Sequence, residues 1–280
     1  MNYQDIISCE QLAQIQAESN LIILDASIPL VGNMSLPDLS WPETIIQGAL
    51  RFDLDGDFSD HTAKYPHTMV TEQVFQQKAR ELGINKDSQI VVYDNLGLFS
   101  AARAWWMFKS MGHHRVAVLD GGLPTWVKRE LPVTSFSSKT IVQGDFIAQA
   151  QPAYFKQAKQ VLTEIDNNNV TIVDARASGR FTGKVPEPRE GVRSGHIPGS
   201  ANVPYSNLLD DGELRPLNEL KAIWQAIAPI EQQLIFSCGS GVTACVLALT
   251  ANMVGYQKLS VFDGSWSEWG TDLQYPVEQN

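Results

Sequence analysis

Gln89-Ile90-Val91-Val92-Tyr93-Asp94 can be written above Gln232-Gln233-Leu234-Ile235-Phe236-Ser237 at an offset of 143 residues. At that offset, without a gap, Gly112 falls on Gly255, Asp120 on Asp263, Gly121 on Gly264 and Trp126 on Trp269. Upstream the offset drifts: Asp25 in Leu24-Asp25-Ala26 matches Asp174 in Val173-Asp174-Ala175 at 149, and Gly48 matches Gly199 at 151. Differences in loop length between two copies of one domain produce such drift. The total of 280 residues suits the same division. The repeat predicts a first domain over 1–134 and a second over 152–280. Between them, 135–151 is rich in Ser, Lys, Gln and Gly without periodicity, and reads as a linker.

Each copy alternates strands and helices. In the first, Ser8 with Gln11 three residues on forms a capping box that opens a helix to about Glu18. Leu21–Leu24 is a buried strand, and Thr71 caps a helix that Gly83 ends. Ile90–Tyr93, a helix over Phe99–Met111 and a strand at Val116–Leu119 follow. The second copy repeats this with strands at Val170–Val173, Leu234–Phe236 and Leu259–Phe262, and helices at Lys159–Asp166, Asn218–Ala228 and Val242–Val254. Short apolar strands interleaved with helices predict an α/β class in which each domain is a mainly parallel sheet with helices on both faces.

Composition removes several function classes. Apolar residues at 44% and charged residues at 19% describe a globular chain with a sizeable core. Twenty-one Lys and Arg against 31 Asp and Glu leave −10, which argues against nucleic acid or an anionic membrane as partner. No apolar run approaches the ~18 residues of a membrane span. Met1-Asn2-Tyr3-Gln4-Asp5 has neither the basic start nor the apolar stretch of a signal peptide, so the expected compartment is the cytoplasm. Three cysteines form no disulfide framework, and five histidines show no zinc-like spacing, so no metal or other cofactor is implied.

The copies differ where chemistry is expected. At offset 143, Cys238 is replaced in the first copy by Asn95. Cys238-Gly239-Ser240-Gly241-Val242-Thr243 lies directly between a buried strand and a helix. Such a turn aims backbone N–H groups inward and adds the positive end of the helix dipole. A thiol there is expected to have a lowered pKa and to act as a nucleophile. Gly239 and Gly241 suit an unusual φ or a close approach to a ligand. Cys245 on an apolar helix face and Cys9 in the first helix read as packing residues. Arg180 and Arg189 flank a Pro- and Gly-rich loop; taken by themselves they are either a carboxylate clamp or two solvated cations.

These residues resemble the two-domain rhodanese sulfurtransferases, and the Cys238–Thr243 loop is similar to that of the 3-mercaptopyruvate branch. Gly195-His196-Ile197-Pro198-Gly199 and Asp263-Gly264-Ser265-Trp266 match further patterns of the second domain. The resemblance implies a Cys238 persulfide formed from 3-mercaptopyruvate with release of pyruvate, then passed to a thiol, thioredoxin or cyanide. It assigns Arg180 and Arg189 to the substrate together with loop residues Gly239, Gly241, Val242 and Thr243. It also implies a relay of Ser240, His67 and Asp55, with Asp53, Asp57 and Asp60 as competitors for Asp55. Arg176 and Arg193 are weaker candidates, and His196 reads as structural. The alternatives are a thiosulfate sulfurtransferase and a noncatalytic persulfide carrier. Gly239 and Ser240 carry no cation for the thiosulfate dianion, which favours mercaptopyruvate. Ala244, six residues after the cysteine, is not the Arg a cysteine phosphatase needs.

Overall fold

The computed structural model describes residues 4–28, 43–137 and 140–279. Met1–Tyr3, on which the leader reading partly rests, and Ser138 and Lys139 of the expected linker lie outside the described residues. The chain separates into two compact units, one of 1–60, 69–151 and 211–214, the other of 61–68, 152–210 and 215–280.

The first unit is built on a parallel sheet in the order Ile6–Ile7, Val116–Leu119, Gln89–Tyr93, Leu21–Asp25, Leu50–Arg51. The second has the same order: Phe155–Lys156, Leu259–Phe262, Gln233–Ser237, Val170–Asp174, Ala201–Asn202. Central strands buried on both faces explain the unbroken apolar runs. The edge strands are two residues long, too short to show any alternation in the sequence. The capping box at Ser8 forms, but its helix stops at Ile15. The Thr71 cap opens a helix over Glu72–Glu81. Trp126 and Trp269, matched by the repeat, are each fully buried in the core of their own unit.

Strand register corrects one alignment. Asp25 pairs with Tyr93 and Asp174 with Ser237, so the central strands superpose at an offset of 144. Two further bonds agree: Ala26 N–H donates to Tyr93 O as Ala175 N–H does to Ser237 O, and Leu123 N–H donates to Asp94 O as Trp266 N–H does to Cys238 O. The residue that stands in place of Cys238 is therefore Asp94, not Asn95. The helices after the loop begin at Ala101 and Ala244, an offset of 143, so the first copy carries one extra loop residue. A gapless alignment drawn from the helix side hides that residue.

The expected linker is largely part of the first unit. Val133–Ser135 pairs antiparallel with Thr44–Ile46. Further on, Gly144 N–H donates to Arg80 O (2.9 Å), Phe146 to Ile84 O (3.1 Å), Gln149 to Met111 O (3.0 Å) and Gln151 to Ser110 O (2.8 Å). Phe146 is buried edge-on against Phe75 and His113. This strap takes its backbone partners from other segments, so it needs no periodicity of its own. Segment 211–214 also belongs to the first unit, tied by Asp211 to Lys128 (2.7 Å) and by Leu214 N–H to Asp120 (2.8 Å). Among the described residues no helix is long and apolar enough to cross a membrane.

Candidate active site in the second unit

Strand Gln233–Ser237 lies between two parallel neighbours and delivers Cys238 at its carboxyl end, where open α/β sheets bind ligands. Cys238 is only 2% exposed. Its loop is held from behind by helix Ser265–Trp269. Cys238 N–H donates to Ser265 Oγ (3.1 Å), and Cys238 O accepts from Trp266 N–H (3.0 Å). Gly239 O accepts from Ser267 N–H (2.8 Å) and Ser267 Oγ (2.6 Å). A trans peptide sets its N–H opposite its C=O, so the N–H groups of Gly239 and Ser240 face away from that helix. Gly241 has φ of +77°, the left-handed region that glycine enters freely. Val242 and Thr243 lead into helix Ala244–Met253, adding the first-turn donors of its N-terminus. Cys245 is fully buried and donates to Gly241 O (3.3 Å), a packing role.

The first copy shows what a loop of this kind holds. Asp94 occupies the Cys238 position, fully buried. Its Oδ1 accepts from Leu96 N–H (2.9 Å), and its Oδ2 from Phe99 (2.8 Å), Ser100 (2.9 Å) and Ala101 (2.9 Å). Four backbone donors converge on one anionic side chain. Asp94→Ala should therefore destabilise the first unit by about 3–5 kcal/mol, because buried N–H groups lose a charged acceptor. Urea denaturation followed by tryptophan fluorescence reads this. A loss below about 1 kcal/mol would mean that the donors find other partners.

Gly239, unlike Gly241, is not left-handed, so the unusual φ expected of both loop glycines occurs only at Gly241. A Cβ built on Gly239 would lie 3.4 Å from Arg180 Nη2 and 4.0 Å from Arg189 Nη1, so both guanidinium groups converge above the residue after the nucleophile candidate. Arg180 is held by Glu187 through Nε (3.1 Å) and Nη2 (2.6 Å). Glu187 also accepts from Arg176 Nη1 (2.9 Å). Arg189 Nη1 donates to Ser267 Oγ (3.2 Å). The two weaker candidates are structural. Arg176 is buried on Asp174, Glu187 and Gly195 O and stacks over Trp266. Arg193 bonds the carbonyls of Trp269, Gly270, Asp272 and Tyr275. Glu187 was not singled out in the sequence, although Pro186 and Pro188 on either side mark a rigid position.

Segment 61–68 belongs to this unit and brings His67 Nδ1 to 2.8 Å from Ser240 Oγ. His67 has φ of +57°, strained for most residues and better tolerated by His. Asp55 and its competitors Asp53 and Asp60 belong to the first unit, as does Asp57. Asp53 accepts from Gly56 N–H (2.8 Å), and Asp57 pairs with Lys78 (2.8 Å). His196 bonds Phe181 O (2.8 Å) and stacks on Phe181, a structural place. Among the described residues no group of three or more His, Cys, Asp or Glu could hold a metal ion.

Two matches to the rhodanese-like domain cover residues 8–129 and 157–272. The chain belongs to the rhodanese family. It is 39% identical to the 3-mercaptopyruvate sulfurtransferase of Rattus norvegicus, over 93% of this chain and 88% of that one. It is 40% identical to the thiosulfate sulfurtransferase of Cricetulus griseus, over 95% of this chain and 92% of that one. The crystal structure of a 3-mercaptopyruvate sulfotransferase from Escherichia coli superposes with a TM-score of 0.84 at 34% identity, covering 94% of this chain and 99% of that one. Both units thus have the rhodanese fold, and only the second carries a cysteine at the end of its central strand.

Proposed function

We propose that this rhodanese is a sulfurtransferase that takes sulfur from 3-mercaptopyruvate through a persulfide on Cys238. One observation carries the reading: the loop that cradles the Asp94 carboxylate in the first copy holds a thiol at the same place in the second. Donors that suit a carboxylate also suit a thiolate and a persulfide anion.

The Cys238 thiolate attacks the sulfur of mercaptopyruvate. An S–S bond forms, the C–S bond breaks, and its electron pair leaves with the pyruvate enolate. Arg180 and Arg189 hold the substrate carboxylate, while the Ser240–His67 pair supplies the proton that converts enolate to pyruvate. Asp55 stays in the relay on the family resemblance alone. An acceptor thiol, thioredoxin or cyanide then attacks the outer sulfur and releases the Cys238 thiolate. The loop residues Gly239, Gly241, Val242 and Thr243 contribute backbone rather than side chains. No disulfide joins any of the three cysteines, which fits a reducing compartment, and we place the protein in the cytoplasm.

Thiosulfate as donor is the second reading, supported by the Cricetulus griseus relative at a similar identity. It is weaker because Gly239 and Ser240, the first two loop positions after the cysteine, carry no cation of their own for a dianion. Mass spectrometry after mixing with mercaptopyruvate tests the main reading. The expected result is one sulfur, ~32 Da, on the Cys238 peptide, with pyruvate released. Sulfur on Cys9 or Cys245 instead, or loading from thiosulfate alone, would overturn it.

A further inference from the structure

Ser265 is fully buried and has φ of +47°. At the matching position the first copy has Gly122, with φ of +51°. Both copies need a left-handed residue where strands Val116–Leu119 and Leu259–Phe262 turn into the helices that follow them. Glycine meets that need without strain, whereas serine does not. A strained, buried serine kept where its sister copy uses glycine requires a contact that glycine cannot make.

Two such contacts are present. The Ser265 hydroxyl donates to Phe262 O (2.8 Å), which directs a lone pair elsewhere. That oxygen accepts from Cys238 N–H at 3.1 Å. Next to it, Trp266 N–H holds Cys238 O at 3.0 Å. The two peptide planes flanking Cys238 are thereby pinned from the same helix, one through N–H and one through C=O. With both planes pinned, the direction of the Cα–Cβ bond is set, and so is the place from which the thiol starts.

We propose that Ser265 is a positioning residue for the nucleophile. Its hydroxyl engages the Cys238 amide so that the side chain projects into the donors of its own loop. In the first copy, where Asp94 is gripped directly by four loop amides, glycine suffices at this place. The proposal rests on the assignment of Cys238 as nucleophile.

Ser265→Gly and Ser265→Ala separate positioning from simple structural support. Both remove the hydroxyl, but only glycine relieves the left-handed strain, so Ser265→Gly should melt above Ser265→Ala. If the hydroxyl positions the thiol, both variants lose kcat with mercaptopyruvate to a similar degree, about tenfold or more, with KM within about twofold of wild type. Alkylation of Cys238 by iodoacetamide, followed on its peptide at fixed pH, should slow in both. This second measurement needs no sulfur donor, so it still tests Ser265 if the wild type proves inactive with mercaptopyruvate. Three results overturn the proposal: wild-type kcat and alkylation in Ser265→Gly, a kcat that simply follows melting temperature across the pair, or a raised KM with kcat unchanged.

Discussion

Cys238→Ser should lower sulfur transfer from mercaptopyruvate or thiosulfate by about a thousandfold or more, because a serine hydroxyl can neither attack sulfur as a thiolate nor carry a persulfide. The fold should be untouched, since the backbone bonds of residue 238 to Ser265 and Trp266 do not involve the side chain. Cys245→Ser should keep most of the activity, because a hydroxyl can still donate to Gly241 O and the site is fully buried. Cys9→Ser should do the same: burial pushes the Cys9 thiol up to about 11, so it stays protonated and unreactive at neutral pH. Initial rates with cyanide as acceptor give the comparison. Substantial transfer by Cys238→Ser would remove the persulfide mechanism altogether.

Arg180→Ala and Arg189→Ala should each raise KM for mercaptopyruvate and lower kcat/KM about ten- to hundredfold, since a charge-assisted hydrogen bond is worth about 1.5–3 kcal/mol. Arg180→Ala should be the more damaging. It strips Glu187 of a two-point partner and leaves that carboxylate, bonded to Arg176, near the incoming anion. Lysine at position 180 should recover only part of the loss, because it cannot engage Glu187 at two points and present a further donor to the substrate. The same geometry bears on donor choice. Gly239-Ser240→Arg-Lys would start a cationic side chain 3.4 Å from Arg180 Nη2, so it should weaken mercaptopyruvate binding as well as favour thiosulfate. Unchanged kinetics in both alanine variants would return the arginines to ordinary surface cations.

The duplication, the parallel sheets and the strand–loop–helix around Cys238 could be read from the chain because each is written locally, in apolar runs, caps and glycines a few residues apart. Arg180 and Arg189 were also within reach, since their loop is marked by Gly183, Pro186 and Pro188. The match of Asp94 to Cys238 was not, because one inserted loop residue leaves both neighbouring elements intact and shows only in the pairing register. Nor could the strap over 144–151 be foreseen, as its donors bond to carbonyls more than thirty residues away.

Sequence by itself determined the central strands, the helices that follow them and which side chain is the odd one out between the copies. Such features depend on nearest neighbours and on periodicity. Tertiary structure alone decided how the thiol is held. Glu187 orients Arg180, Ser267 joins Arg189 to the loop, and His67 reaches Ser240 across 173 positions of chain. Ser265, left-handed at a place where glycine would be unstrained, reaches the Cys238 amide from 27 residues away. These contacts close only when distant segments pack, and no local pattern of residues encodes their distances.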